Sequence, residues 1–108
     1  MPRNSKQNSL QRYKLMKAIT RRYFDSLKFP KPHILQRSVA KNASKEAIRY
    51  VKLYKKTLNS LENKHREMIR YTFLEPELLD WLKGQYSIST FYRVREQSIR
   101  SFIERFYQ

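Results

Sequence analysis

Five polar side chains near the end of the chain recur at helical spacing, and their types suit hydrogen bonding to the edges of DNA bases. They are Ser89, Thr90, Arg93, Gln97 and Arg100. Arginine can bind guanine through two hydrogen bonds, glutamine can bind adenine in the same way, and serine or threonine can contact bases or phosphates. Because a helix turns by about 100° per residue, these five lie opposite the apolar Phe91, Val94 and Phe102. The segment therefore predicts a helix with one face to bury and one face that could read bases.

Three neighbouring side chains could support this polar face. Tyr92 lies on its flank, where the hydroxyl group could reach a DNA phosphate, and Arg95 adds a cation beside it. Glu96 is also placed outward, where its carboxylate could accept a hydrogen bond from cytosine or repel phosphate. A simpler interpretation stays open, since any amphipathic helix has a solvated polar face.

A short helix, a turn and a longer helix are predicted to position these side chains. Pro76 suits the first helical position and Glu77 the positive end of the helix dipole, while Gly84, the only glycine of the chain, is expected to end the short helix. Ser87 suits the N-cap of a last helix that ends near Phe106. This arrangement predicts a C-terminal helix-turn-helix, whose second helix would lie in the major groove of DNA.

The whole chain divides into a short tail and one helical domain. Residues 1–9 are expected to be a disordered basic N-terminus, and residues 10–108 a single domain. Within that domain, residues 10–43 are expected to hold a basic helix and a proline-containing connection. Residues 44–108 are expected to form the part that contains the helix-turn-helix.

Apolar spacing predicts the remaining helices. A first helix over residues 10–28 would bury side chains that lie three and four residues apart. They are Leu10, Tyr13, Met16, Thr20, Tyr23, Phe24 and Leu27. A second helix is predicted to begin with Ser44 as its N-cap, and a third to cover residues 64–74 with Asn63 as its N-cap. No alternating strand pattern is present, so the predicted fold class is all-α with about five helices.

The formal net charge of the 108 residues is +15, and it is unevenly distributed. Residues 1–37 carry ten Lys and Arg against one Asp, whereas residues 76–108 carry five against four acids. Such an excess points to nucleic acid, an anionic membrane surface or a strongly acidic protein, and of these we expect double-stranded DNA. Basic residues of the first two helices, together with Tyr92 and Arg95, are predicted to bind its phosphates, although a merely solvated basic face stays open. These basic residues are Lys14, Lys17, Arg21, Arg22, Lys52, Lys55 and Lys56.

The composition argues against an enzyme and against a bound cofactor or metal. Without cysteine the chain cannot build thiolate zinc sites, iron–sulfur clusters or a cysteine nucleophile. His33 and His65 lie far apart, and a single glycine leaves no glycine-rich phosphate loop. Glu75, Glu77 and Asp80 cluster where a helix dipole favours acids, with a paired-carboxylate site as a remote alternative. We therefore expect no catalytic residue, no metal site and no cofactor.

The sequence also predicts where the protein resides. No apolar run approaches the roughly 18 residues of a membrane-spanning helix, and the charged N-terminus is not followed by the apolar stretch of a signal peptide. We expect a cytoplasmic, nucleoid-associated protein with no membrane partner. The oligomeric state is left open because no long heptad pattern is present.

Two segments carry a resemblance to a known family. Residues 89–106, with the sequence STFYRVREQSIRSFIERF, resemble the C-terminal signature of the ArpU/RinA-like phage transcriptional regulators. Residues 44–75 look like the helices that precede this signature in the same family, through the segments 58–61, 64–69 and 71–74.

The resemblance implies a helix-turn-helix similar to region four of bacterial sigma factors, in which the last helix reads DNA. It implies a small transcription activator of phage or prophage genes. This chain departs from the family in two ways: LKGQYSIS places more residues than usual between Leu82 and Ser89, and Trp81 stands where small residues are common. Either the turn is longer here or the first helix of the motif is displaced.

We therefore expect a sequence-specific DNA-binding transcriptional regulator. Two other functions stay open. A basic RNA-binding or ribosome-associated module would use tyrosines to stack on unpaired bases, although most of the aromatic residues fall on predicted inward faces. A sigma-like adaptor would bind RNA polymerase and contact little DNA.

Overall fold

The computed structural model of the chain describes the backbone of residues 5–28 and 38–108, and the side chains of residues 8–28 and 42–108. These residues form five α-helices: α1 (Ser5–Leu27), α2 (Ser38–Ser60), α3 (Asn63–Ile69), α4 (Leu79–Lys83) and α5 (Ile88–Phe106). A π-helical turn (Arg70–Leu74) and a 3-10 turn (Pro76–Leu78) join α3 to α4. The described residues contain no β-strand, so the predicted all-α fold class is confirmed.

The main core lies where α1, α2 and α5 pack together, with the end of α3 against them. Its fully buried side chains include Met16 of α1, Tyr54 of α2 and Phe102 of α5. Burial of side chains this large supplies most of the stabilisation of a domain of this size. The N-terminal helix is therefore part of the core and not an appendage to it.

Buried polar contacts fix α1 against α2. The hydroxyl groups of Thr20 and Tyr54 are hydrogen bonded at 2.9 Å, and the Tyr50 hydroxyl donates to the carbonyl oxygen of Ile19 at 3.0 Å. The rings of Tyr23 and Tyr54 stack with their centroids 4.2 Å apart. Burial raises the pKa of the Tyr54 hydroxyl, so it stays protonated and able to donate. These contacts specify how the two helices face each other.

A second, smaller apolar cluster holds the C-terminal elements together. Met68 of α3, Leu82 of α4, and Phe91 and Val94 of α5 are its buried members. Helix α5 contributes side chains to both clusters, and so does α3 through Ile69 and Met68, so these two helices connect α4 to the main core.

Several predicted helix boundaries differ from those observed. Helix α1 begins at Ser5, so residues 5–9 of the predicted disordered tail are helical. The side chain of Leu10, predicted to be buried, is 54% exposed, and Leu27 is also exposed. Ile19, which the predicted pattern omits, is buried instead. The apolar pattern of α1 was ambiguous because this long helix buries only its middle.

The prediction that Ser44 caps the second helix is wrong. Helix α2 begins six residues earlier, at Ser38, and Ser44 is fully buried within it. Ser44 lies three residues before the buried Ala47 and therefore extends the inward face of the helix. Of the predicted connection over residues 29–43, residues 38–43 belong to α2 and the others lie outside the described residues.

The predicted third and fourth helices are present with different caps. Glu62, and not Asn63, occupies the N-cap of α3, and it makes no side-chain capping bond. Pro76 opens the 3-10 turn that leads into α4, as its position predicted. Gly84 follows the end of α4 but keeps right-handed angles (φ −64°, ψ −16°). It therefore does not use the left-handed conformation by which glycine commonly ends helices.

Candidate nucleic-acid interface

Helix α5 presents the predicted base-reading residues, and its start is fixed by a capping bond. The backbone N–H of Thr90 donates to the Ser87 hydroxyl oxygen at 3.3 Å, which satisfies one of the free amides at the start of a helix. The inward face predicted from the helical period is confirmed. Its buried members are Phe91, Val94, Ser98, Ile99, Phe102 and Phe106.

The predicted base-reading residues lie on the opposite face of α5. Ser89, Arg93, Gln97 and Arg100 are exposed, and Thr90 is half-buried. The hydroxyl oxygen of Thr90 accepts a hydrogen bond from the Ser87 hydroxyl at 2.8 Å, so Thr90 also takes part in the cap. We call these five residues the polar stripe. It runs along about three turns of the helix, a length that could follow the major groove.

Glu96 does not join the polar stripe. Its side chain is 24% exposed and forms an ion pair with Arg12 of α1, whose Nε donates to Glu96 Oε1 at 2.8 Å. Arg100 is paired with the same carboxylate oxygen, with its Nη2 atom 3.7 Å from Oε1. The prediction that Glu96 faces outward to meet DNA is therefore corrected: the carboxylate joins α1 to α5 and lies beside one residue of the stripe.

Arg95 and Tyr92 form an aromatic and cationic flank beside the stripe. The guanidinium carbon of Arg95 lies 4.8 Å from the ring centroid of Tyr13 and 4.9 Å from that of Tyr92. Such cation–π contacts hold the guanidinium group in place. Tyr92 is 49% exposed. The predicted phosphate ligand Arg95 thus packs against α1, and Tyr92 is the more open of the two.

The cations of α1 and α2 are spread over separate surfaces. Lys17 and Arg21 line a groove between α1 and the π-helical turn, together with Thr72 and Phe73. The guanidinium group of Arg22 lies 4.4 Å from the ring centroid of Tyr50 in a different groove. Lys14 is exposed on α1, and Lys52, Lys55 and Lys56 are exposed on α2. The structure therefore does not bring all the predicted phosphate ligands to one place.

The unit formed by α4, a four-residue turn and α5 packs through the smaller apolar cluster. Leu82 of α4 belongs to this cluster, and Leu79 packs against it. The ring of Tyr86 in the turn meets the ring of Phe91 edge-on, with the ring centroids 6.5 Å apart. Trp81, unusual for the family that the sequence resembles, is 59% exposed and touches the ring of Tyr71. Tyr86 of the long turn thus packs against the same apolar cluster as the two helices.

Three features of this surface were not predicted from the sequence. Arg12 pairs with Glu96 across 84 residues of sequence, and no local pattern signals such a partner. Ile88 is 81% exposed, although an isoleucine after a capping residue suggests a core position. Lys83 lies with its Nζ atom 5.5 Å from the Phe91 ring centroid, at the edge of a cleft beside the start of α5.

Other chemistry is sparse in the described part of the chain. Burial lowers the pKa of His65, and its Nε2 atom is buried without a hydrogen-bond partner. His33 lies outside the described residues. Among residues 5–28 and 38–108, no three side chains of the metal-binding types come together, and no helix is long and apolar enough to cross a membrane.

Comparison of the chain with protein-family models, with characterised proteins and with solved structures found no match.

Proposed function

We propose that the protein is a sequence-specific DNA-binding transcriptional regulator whose helix α5 enters the major groove. The observation that carries this proposal is the polar stripe. Its residues are of the types that read base edges, and they lie on a helix whose opposite face is locked into the core. A rigid helix with a free polar face holds its side chains in the fixed register that base reading requires.

The net charge supports an anionic partner of this kind. A protein carrying +15 on 108 residues attracts DNA at long range and releases counterions on binding. Contacts to phosphates position a protein on DNA, whereas contacts to bases specify the sequence. In this proposal the predicted phosphate ligands of α1 and α2 position the protein, and the polar stripe selects the site.

The resemblance of residues 44–75 and 89–106 to ArpU/RinA-like regulators suggests the biological setting. We propose that the protein regulates phage or prophage genes and has no catalytic activity. The unit of α4, turn and α5 would correspond to the helix-turn-helix of that family, with the first helix shortened to Leu79–Lys83 and preceded by a 3-10 turn.

Arg93 offers a direct test of the proposal. Selection from random duplex DNA should yield a preferred site. The Arg93→Ala variant should bind that site more weakly by about 1–3 kcal/mol and should relax the preference at one base pair. The Lys45→Ala variant removes one exposed positive charge of α2 and should keep the full preference. An Arg93→Ala variant that selects the same motif with undiminished preference would refute the role of the stripe.

RNA is the second candidate partner, and one groove favours it. Lys17, Arg21 and Lys28 line the same groove as Phe24 and Phe73, and cations beside aromatic rings suit single-stranded nucleic acid. A competition assay at fixed salt separates the candidates. Stronger binding of single-stranded or structured RNA than of the selected duplex would make RNA the preferred candidate partner. Capture of RNA polymerase without any duplex binding would instead support the sigma-like adaptor.

A further inference from the structure

Ile88, the first residue of α5, is the most exposed of the large apolar side chains in the described part of the chain. It is 81% exposed, compared with 59% for Trp81 and 49% for Tyr92. The helix does not need an isoleucine there, because the capping bond is made by Ser87 and Thr90. The core does not need it either, because the side chain is not buried. Together with the exposed ring of Tyr92 in the same cleft, Ile88 forms contiguous apolar surface of the kind that marks an interaction site for a partner.

The surroundings of Ile88 indicate what that partner is. Ile88 shares a cleft with Lys83, Tyr86, Phe91 and Tyr92. Tyr92 lies one helical turn further along, so the two exposed side chains form a ridge on one side of the helix. Ser89, which follows Ile88 in the chain, is the first residue of the polar stripe. Lys83 adds a positive charge to the same cleft, and this charge favours an anionic partner over an uncharged protein surface.

The major groove of DNA offers one apolar group to such a ridge, the C5 methyl group of thymine. We propose that Ile88 is a specificity-determining residue that contacts a thymine methyl group at one end of the site read by the polar stripe. This inference rests on the proposed function. It adds an apolar contact to the hydrogen bonds that the proposed function assigns to the stripe.

A thermodynamic cycle tests the contact. In the selected duplex each thymine in turn is replaced by deoxyuridine, which lacks the methyl group and keeps the base pair. One replacement should weaken binding by the wild-type protein about fourfold, the value for one buried methyl-sized group. In the Ile88→Ala variant the same replacement should have no effect. The Leu53→Ala variant, which alters an exposed leucine of α2, should keep the full fourfold effect.

The outcomes separate this inference from the proposed function. If no preferred duplex is selected, the proposed function fails, and the inference fails with it. If a duplex is selected and Arg93→Ala relaxes its preference, but deoxyuridine weakens wild type and Ile88→Ala equally, only the thymine contact is overturned. The thymine contact alone is also overturned if a duplex is selected but no deoxyuridine replacement weakens binding by the wild-type protein. Because Ile88 is exposed, Ile88→Ala should unfold at the wild-type temperature, which a thermal melt checks.

Discussion

At Glu96 a single carboxylate joins two helices and one member of the polar stripe. Arg12 approaches it from α1, and Arg100 approaches it from the next turn of α5. Because the Arg12–Glu96 pair is only about one quarter exposed, water screens it less than it screens a surface pair. We infer that it contributes to stability, and that it fixes how the first turns of α1 lie against α5.

We predict that Glu96→Gln destabilises the protein by about 1 kcal/mol, because the variant lacks the charge that both arginines face. Urea denaturation measures the change. The matched control is Asp25→Asn, which removes a carboxylate 4.0 Å from Lys28 where both side chains are mostly exposed. That change should lie within about 0.5 kcal/mol of zero. If the two substitutions changed the free energy of unfolding by the same amount, the Arg12–Glu96 pair would stabilise the protein no more than an exposed pair does.

At the scale of elements, α5 was predictable and the start of α2 was not. Ser87, the apolar period from Phe91 to Phe106 and the outward polar residues all agreed on one helix and one orientation, and both are observed. For α2, Ser44 looked like a cap because serine often begins helices. Serine is also small enough for a buried face, and no local rule decides between these roles. Arg12 was missed for a related reason, since its partner lies 84 residues away.

We predict that Ser87→Ala costs about 1 kcal/mol, because it removes the hydroxyl oxygen that accepts the Thr90 amide. The decrease in stability should appear in urea denaturation together with faster amide hydrogen exchange in the first turn of α5. The control Ser89→Ala removes a hydroxyl from the same turn that takes no part in the cap, and it should change stability by less than about 0.5 kcal/mol, the size expected of surface substitutions. A stable Ser87→Ala variant with slow exchange would contradict the capping role.

At the scale of the whole molecule, charge and core are not separate parts of the chain. The most basic third of the sequence, residues 1–37, includes α1, whose Met16, Ile19 and Tyr23 are buried in the main core. Deleting this third to test its role in DNA binding would therefore expose the core. The proposed phosphate binding by α1 has to be tested by substituting its exposed cations.

Under the proposed function, we predict that replacing Lys17 and Arg21 together by Gln lowers the salt dependence of binding to DNA. The slope of log K against log salt should fall by about 0.9 for each phosphate that the variant no longer neutralises, with the selected sequence unchanged. Replacing the exposed Lys45 and Lys64 by Gln removes the same charge elsewhere. An equal fall in slope for this control would assign the effect to net charge and not to phosphate binding by α1.

The two faces of α5 differ in their importance for folding, and this difference determines where the helix tolerates substitution. Within the described part of the chain, no hydrogen bond or ion pair engages Ser89, Arg93 or Gln97, whereas Phe91 and Phe102 are buried in the two apolar clusters. Substitutions at the three outward positions, other than proline and glycine, carry little folding cost. Under the proposed function, the target sequence can therefore change there while the scaffold is kept. A library that varies these three positions among residues other than proline and glycine should yield folded members almost throughout, and under the proposed function its members should differ in the duplex that they select.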